Sequence, residues 1–171
     1  MVKGFTLSEL MIGLAITSIV TLFSAKPLTK FLEKNKVEAD VLKVVNIINT
    51  SRAKAISKKQ QYTICGDTDG NNGAAQCSRS WRALKVVDAQ HNLKYTAELS
   101  ANLASANWYA FQSKPGLTIS PTGYTAHQNG TLYLCHRQYQ DLHRAIIVSK
   151  SGRTTVGGEP ADIALKCQTQ D

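Results

Sequence analysis

Residues 3–9 of the chain read KGFTLSE and lead straight into the apolar run LMIGLAITSIVTLFSA, residues 10–25. From Phe5 to Ala25 there are 21 residues, and Glu9 is the only charged one among them. A helix of that length rises about 30 Å, which is the thickness of the hydrocarbon core of a bilayer. Segment 5–25 is therefore predicted to be a membrane-spanning helix.

The carboxylate of Glu9 is unusual in such a segment. An ionisable side chain in lipid costs about 2.5–3.5 kcal/mol on insertion scales, and less near the N-terminal end of a helix. One interpretation is a simple anchor that tolerates a carboxylate, and the other is a functional carboxylate. An ordinary secretory signal has a shorter apolar run with its cleavage site after that run. Here Lys3 and Gly4 precede a run that is long enough to remain as an anchor.

The positive charge of the chain is concentrated after the apolar run. The whole chain has a net charge of +8, and residues 1–25 sum to zero. Residues 26–59 contain nine basic and three acidic residues, a net +6, whereas residues 60–171 contain ten basic and eight acidic residues, a net +2. This distribution indicates a membrane-adjacent stem rather than a basic nucleic-acid-binding domain.

Segment 26–59 has the pattern of an amphipathic helix that continues the membrane helix to about Lys58. Pro27 lacks an amide hydrogen and is expected to kink or loosen the helix. We expect the C-terminal half of this stem to pack against a head domain. The apolar residues predicted to form one stripe are Leu28, Phe31, Leu32, Val41, Leu42, Val45, Ile48, Ala55 and Ile56.

Residues 60–171 are predicted to form a β-rich globular head. Short runs of strand-forming residues are separated by Gly, Pro and Asn turns, which is typical of antiparallel strands. The predicted strands are 61–65, 81–88, 117–120, 131–135 and 145–149. One long N-terminal helix followed by strands indicates the α+β class, with the helix packed on an antiparallel sheet.

The four cysteines indicate disulfides in an oxidising compartment, because their number is even and none has zinc-site spacing. Their order along the chain suggests the pairs Cys65–Cys77 and Cys135–Cys167. The other two pairings remain open at this point.

The N-terminal stretch KGFTLSE, followed by an apolar helix, resembles the prepilin signature of type IV pilins and type II secretion pseudopilins. The resemblance implies that residues 1–4 are a leader and that a prepilin peptidase cuts between Gly4 and Phe5. Phe5 would then become the N-methylated first residue. Glu9 would pair with the N-terminal amine of a neighbouring subunit and so favour one axial offset during assembly.

The head is similar to those of GspH, FimT and FimU proteins, which are minor pilins or minor pseudopilins. The similar features, in chain order, are Cys65-x11-Cys77, the Trp81 strand ending at Asp88, residues 119–123, the Cys135 strand and residues 147–153. The resemblance implies a pilin fold and a non-enzymatic minor type IV pilin that helps to prime pilus assembly and sits at or near the tip. A GspH-like minor pseudopilin of type II secretion is the alternative.

The same resemblance implies partners and a location, and it implies no cofactor. The implied partners are other minor pilins, the major pilin and the prepilin peptidase. Before assembly the chain would lie in the bacterial inner membrane with a periplasmic head. After assembly it would be part of a pilus or pseudopilus.

A DNA-binding pilin for natural transformation is a further alternative. Some FimT proteins bind DNA through a Gly-Arg-x-Arg motif, and this chain matches it at Gly152 and Arg153 but has Thr155 in place of the second Arg. The other interpretation of residues 151–155 is a turn between two strands. Because phosphate contacts scale with the number of cations, the alternative depends on clustering of basic residues. The candidate DNA-binding residues are Lys150, Arg153, Arg144 and Arg137.

The sequence gives little support for a metal or catalytic site. Residues 67–71, DTDGN, resemble the start of a calcium loop, but Asn72 and Ser78 stand where an EF-hand has Gly and Glu. A turn inside a disulfide loop fits better, and no metal site is predicted. No carboxylate or Ser is spaced to form a relay with a histidine, so no catalytic residue is predicted. The histidines are His91, His127, His136 and His143.

Overall fold

The computed structural model describes residue 4, residues 6–67, residues 76–158 and residues 160–168, without the side chains of residues 22–26 and 160. The chain divides into two compact units, Met1–Asn35 and Lys36–Asp171. A short 3₁₀ helix, Gln140–Leu142, precedes the seventh strand. The elements in chain order are α1 (Leu7–Lys58), β1 (Tyr62–Gly66), β2 (Ala83–Asp88), β3 (Leu93–Glu98), β4 (Leu103–Ala110), β5 (Gly116–Ile119), β6 (Gly130–His136), β7 (Arg144–Val148), β8 (Thr154–Val156) and α2 (Pro160–Gln168).

The first unit contains the N-terminal part of α1, and three of its hydroxyl groups donate to backbone carbonyls one turn earlier, those of Thr17, Ser18 and Thr21. Thr17 Oγ1 donates to Gly13 O at 3.0 Å, and Ser18 Oγ donates to Leu14 O at 2.7 Å. The helix continues without a break through Pro27. Exposed apolar side chains of this unit are Leu7, Leu10, Met11, Ile12, Leu14, Ile16, Ile19, Val20, Leu28, Phe31 and Leu32.

Among the described residues, none of the helices combines the length and the apolar character needed to cross a membrane. The predicted anchor, 5–25, includes Phe5 and the side chains of residues 22–25, which lie outside the described residues. The anchor and the leader therefore stay predictions.

The second unit contains two four-stranded sheets, and every strand pairing in them is antiparallel. The first sheet has the order β3-β2-β1-β5, and the second has the order β4-β6-β7-β8. Trp81 and Trp108 stack at the centre of the core with ring centroids 4.9 Å apart, and both are almost fully buried. The predicted α+β class, with a long helix on antiparallel sheet, is confirmed.

The C-terminal half of α1 packs on this core through a face that is shifted from the predicted stripe. Leu42 was expected in the stripe but is 68% exposed, and Ile56 is 47% exposed. Each lies one residue past a buried position, which turns its side chain about 100° away from the core. The buried positions recur at spacings of three and four along two adjacent rows, at Val37, Asp40, Val41, Val44, Ile47, Ile48, Ser51 and Ala55.

Several elements of the second unit were not predicted. β3 is exposed along almost its whole length, so it lacks the alternation of apolar and polar residues that marks a strand. β4 reads LASANWYA and contains residues that are weak strand formers. β8 has three residues and α2 has nine, and both follow turn-forming sequence.

Candidate functional site

The start of α1 is closed by a capping box that the sequence analysis did not identify. Thr6 donates to Oε2 of Glu9 through its backbone N–H at 2.9 Å and through its hydroxyl at 2.8 Å. Thr-x-x-Glu at a helix N-terminus is the arrangement that satisfies otherwise unpaired amide groups. Glu9 therefore caps its own helix through Oε2. Gly4 is exposed, and Phe5 lies outside the described residues.

The sequence around Arg153 forms the turn between β7 and β8. Gly152 N donates to Ser149 O at 2.9 Å, and Ser149 N donates to Arg153 O at 2.9 Å. Gly152 has a φ of +75°, which completes a type I turn followed by a bulge at glycine. The side chains of Lys150 and Arg153 are exposed on this turn. The predicted turn is present, and it displays both cations.

A second turn of the same design follows β5. Gly123 N donates to Ser120 O at 2.8 Å, Ser120 N donates to Tyr124 O at 2.8 Å, and Gly123 has a φ of +83°. We call residues 120–124 and 149–153 the twin turns. Each begins with Ser and has Gly at the fourth position.

The twin turns pack against each other beside α1. A Cβ atom added to Gly152 would lie 2.4 Å from Gly123 O, and one added to Gly123 would lie 2.8 Å from Ile56 Cδ1. Arg52 Nε donates to Gly123 O at 3.1 Å, and Thr125 N donates to Lys150 O at 3.1 Å. Arg52 thus places a third basic group next to the turn that carries Lys150 and Arg153.

The four candidate DNA-binding residues do not form one cluster. Arg144 begins β7 and Lys150 follows its end, so the two are separated by a strand about 13 Å long. Arg137 follows β6 at the same end as Arg144, because Leu134 pairs with Arg144. This corrects the expectation of a four-residue patch, since strand direction sends the two pairs to opposite ends of the sheet.

Arg144 is also engaged in the fold. Its Nε and Nη2 donate to Oε1 of Glu38 at 3.0 and 2.8 Å, and its Nη1 donates to Asp141 O and His143 O. Arg144 therefore links β7 to α1, and its charge is paired with that of Glu38.

Two of the histidines support the connection between β6 and β7. The Nδ1 of His136 accepts from the backbone N–H groups of Gln138 and Tyr139 at 3.1 and 3.0 Å. The Nδ1 of His143 accepts from His136 N at 3.0 Å. Burial lowers the pKa of His143, the electrostatic interactions with His136 and Arg144 lower it further, and the Asp141 carboxylate opposes them. These imidazoles act as structural acceptors.

The disulfides follow the order along the chain. Cys65 is bonded to Cys77, and Cys135 is bonded to Cys167, which links α2 to β6.

Most of the loop that resembles a calcium site, residues 68–75, lies outside the described residues. Its first residue, Asp67, accepts from the buried Lys85 ammonium at 3.0 Å. Across the described ranges, no group of three or more potential ligands of the His, Cys, Asp or Glu type is found.

Comparison with known families gives two matches to this chain. The family described as Type II transport protein GspH matches residues 41–152, from the buried half of α1 to the turn glycine. The chain belongs to the GspH family. The prokaryotic N-terminal methylation motif matches residues 1–25, which include Gly4, Phe5 and Glu9.

Two crystal structures of the type IV minor pilin FimU of Pseudomonas aeruginosa PAO1 have a similar fold. One is 18% identical, with a TM-score of 0.58 over 75% of this chain and 92% of that chain. The other is 16% identical, with a TM-score of 0.55 over 71% of this chain and 92% of that chain. Comparison with curated proteins gives no significant match. The fold of this GspH-family chain is thus that of a pilin.

Proposed function

We propose that the protein is a minor type IV pilin that helps to prime pilus assembly and sits at or near the pilus tip. The observation that carries the proposal is the prokaryotic N-terminal methylation motif at residues 1–25 joined to a GspH-family head. The role is non-enzymatic and needs no cofactor. Its partners are other minor pilins, the major pilin and the prepilin peptidase.

The mechanism begins with processing and membrane storage. Cleavage between Gly4 and Phe5 removes residues 1–4 and creates a new amine, which is methylated. Residues 5–25 hold the chain in the inner membrane with the head in the periplasm. The chain then passes into the pilus through contacts between the apolar side chains exposed on the first unit and those of other subunits.

Glu9 sets the register of this assembly. Its Oε2 is used by the Thr6 cap, and a carboxylate that is only partly satisfied is unfavourable in lipid. A neighbouring subunit's N-terminal amine neutralises it at one axial offset, because other offsets leave the charge unpaired. The carboxylate therefore has a local role in the helix and a second role between subunits.

A pair of Glu9 variants tests the mechanism in a host whose own copy of the gene is deleted. Glu9→Gln keeps a side chain that can close the capping box but removes the charge. We expect it to be processed and to fail to restore surface pili. Glu33→Gln, a charge change further along α1, is the control and should restore them. Normal piliation with Glu9→Gln would contradict the proposed role of the carboxylate.

A minor pseudopilin of type II secretion is the second candidate, favoured by the description of the matching family. Deletion of the gene separates the two. Loss of surface fibres with normal release of secreted enzymes supports the pilin. Normal fibres with enzymes retained in the periplasm support the pseudopilin.

DNA binding by the displayed head is a third candidate, favoured by the exposed Lys150 and Arg153 beside Arg52. Purified full-length protein in detergent should then bind DNA with a steep dependence on salt. Arg153→Ala should weaken binding, whereas Arg137→Ala, at the opposite end of the sheet, should not. No binding at low salt would exclude this candidate.

A further inference from the structure

One end of the second sheet combines exposed aromatic rings with the two cations of the β7–β8 turn. Ala110, Gly130, Val148 and Thr154 lie opposite one another across the four strands. Adjacent strands are about 4.8 Å apart, so this row is about 14 Å wide. Phe111 directly follows the row on β4, and the residue is 81% exposed. Its backbone is fixed, because Phe111 N donates to Asn129 O at 2.9 Å.

Tyr124 supplies a second ring at the same end. Its side chain is 55% exposed, and it ends the first of the twin turns. Tyr124 O accepts from Ser120 N at 2.8 Å and from Ser120 Oγ at 3.0 Å. The neighbouring Thr125 donates to Lys150 O through N at 3.1 Å and through Oγ1 at 3.2 Å. Tyr124 is therefore held beside the turn that displays Lys150 and Arg153.

The residues that form this end of the sheet include few acidic side chains. Between Leu99 and Gly158, Asp141 is the only acidic residue. Asp141 lies in the 3₁₀ helix before β7, at the opposite end of the strand from Lys150. Residues 99–158 therefore contribute no carboxylate near Lys150, whereas the turn offers two cations.

We propose that Phe111, Tyr124, Lys150 and Arg153 form a stacking surface for single-stranded nucleic acid. The two rings stack on unpaired bases, and the two cations meet the phosphates between them. The bases of a duplex are stacked on each other, so exposed rings gain little from duplex DNA and more from a single strand. This inference rests on the DNA-binding candidate above and adds the form of the strand and the residues that recognise it.

Fluorescence anisotropy on the full chain in detergent tests the stacking surface with two labelled probes, a 20-nucleotide oligo-dT strand and a 20-base-pair duplex. Wild-type protein should bind the single strand more tightly. Phe111→Ala and Tyr124→Ala should each weaken single-strand binding at least about fivefold and leave duplex binding unchanged. Tyr124→Phe, which keeps the ring, should bind as wild type does. Tyr95→Ala, a half-exposed tyrosine on the other sheet, is the control and should have no effect.

The salt dependence supplies a second readout, because each phosphate contact adds about 0.7 to the slope of log affinity against log salt for a single strand. Arg153→Ala should lower that slope by about this amount, and Phe111→Ala should leave it unchanged. Alanine variants that bind the single strand as tightly as wild type would overturn the stacking surface but leave DNA binding intact. Absence of binding to both probes by wild type would overturn both.

Discussion

Arg144 on β7 and Glu38 on α1 form an ion pair, with Nη2 of the guanidinium 2.8 Å from Oε1 of the carboxylate. The pair joins residues 106 positions apart and ties the second sheet to the helix. Arg144 also holds the connection before β7 through Asp141 O and His143 O. Its role is therefore to fix the head on α1.

Replacement of Arg144 should lower stability without changing DNA binding. We expect Arg144→Ala to reduce the free energy of unfolding by about 1–2 kcal/mol, because the pair is partly exposed and several hydrogen bonds are lost with it. Urea denaturation of the purified protein measures the change. Arg137→Ala, an exposed arginine at the same end, is the control and should change it by less than about 0.5 kcal/mol. Equal losses of unfolding free energy in the two variants would contradict this role of Arg144.

Addition of a methyl group to Gly152 should separate the twin turns. Gly152→Ala places a Cβ 2.4 Å from Gly123 O and also forces alanine to a φ of +75°. We expect a loss of about 2–4 kcal/mol in unfolding free energy. Gly157→Ala is a matched control, since Gly157 also has a positive φ, of +143°, but nothing lies within 4 Å of its added Cβ. A Gly152→Ala variant as stable as the wild type would contradict the clash.

Acidification should destabilise the β6–β7 connection. Burial lowers the pKa of His143 in the folded state, and its Nδ1 must stay unprotonated to accept from His136 N. Below the ordinary pKa of about 6.5 the unfolded chain binds the proton more readily, so stability is complete above that pH and falls as the pH drops through it. His143→Gln should flatten the change in unfolding free energy between pH 7.5 and 5.5, whereas the exposed His127→Gln should not. An unchanged profile in His143→Gln would contradict this assignment.

Asp88 titrates below the range of pH 7.5 to 5.5. A hydrogen bond from Lys94 lowers the pKa of Asp88 to about 2. Its contribution is therefore present above the ordinary pKa of about 3.8 and is lost only as the pH falls towards 2. It cannot account for a loss of stability between pH 7.5 and 5.5.

The two disulfides should contribute unequally. Cys135–Cys167 closes a separation of 32 residues, and Cys65–Cys77 closes one of 12. The entropy of loop closure gives about 4 kcal/mol for the longer loop and about 3 kcal/mol for the shorter one. Denaturation of the two double-serine variants measures the difference. A larger loss on removal of the Cys65–Cys77 bond would contradict the chain-entropy account.

The sequence predicted those parts of the fold whose residue pattern lies within a single helix or turn. The spacing of apolar residues predicts α1 to Lys58, and Gly152 predicts the turn between β7 and β8. The predicted stripe on α1 includes the exposed Leu42 and lacks the buried Val44 and Ile47, because apolar residues occur beside the buried face as well as on it. β3 was missed because exposed side chains on a strand give no alternation to detect.

The sequence predicted the candidate site less well, because that site depends on contacts between distant residues. Nothing near Arg144 in the chain shows that Glu38 neutralises it, and nothing near Gly123 shows that Gly152 packs against it. Arg52 was read only as one charge of the stem, although it donates to the first twin turn. The capping box of Thr6 and Glu9 was within reach, since its Thr-x-x-Glu spacing is local.

The central claim is that this chain is processed as a pilin and enters a fibre. Mass spectrometry of fibres sheared from the native host tests both parts at once through the N-terminal tryptic peptide, which should run from Phe5 to Lys30 because Pro27 protects the bond after Lys26. We predict that this peptide is present in the fibre fraction with one added methyl group. A chain that keeps Met1–Gly4 and is absent from the fibres would contradict the account.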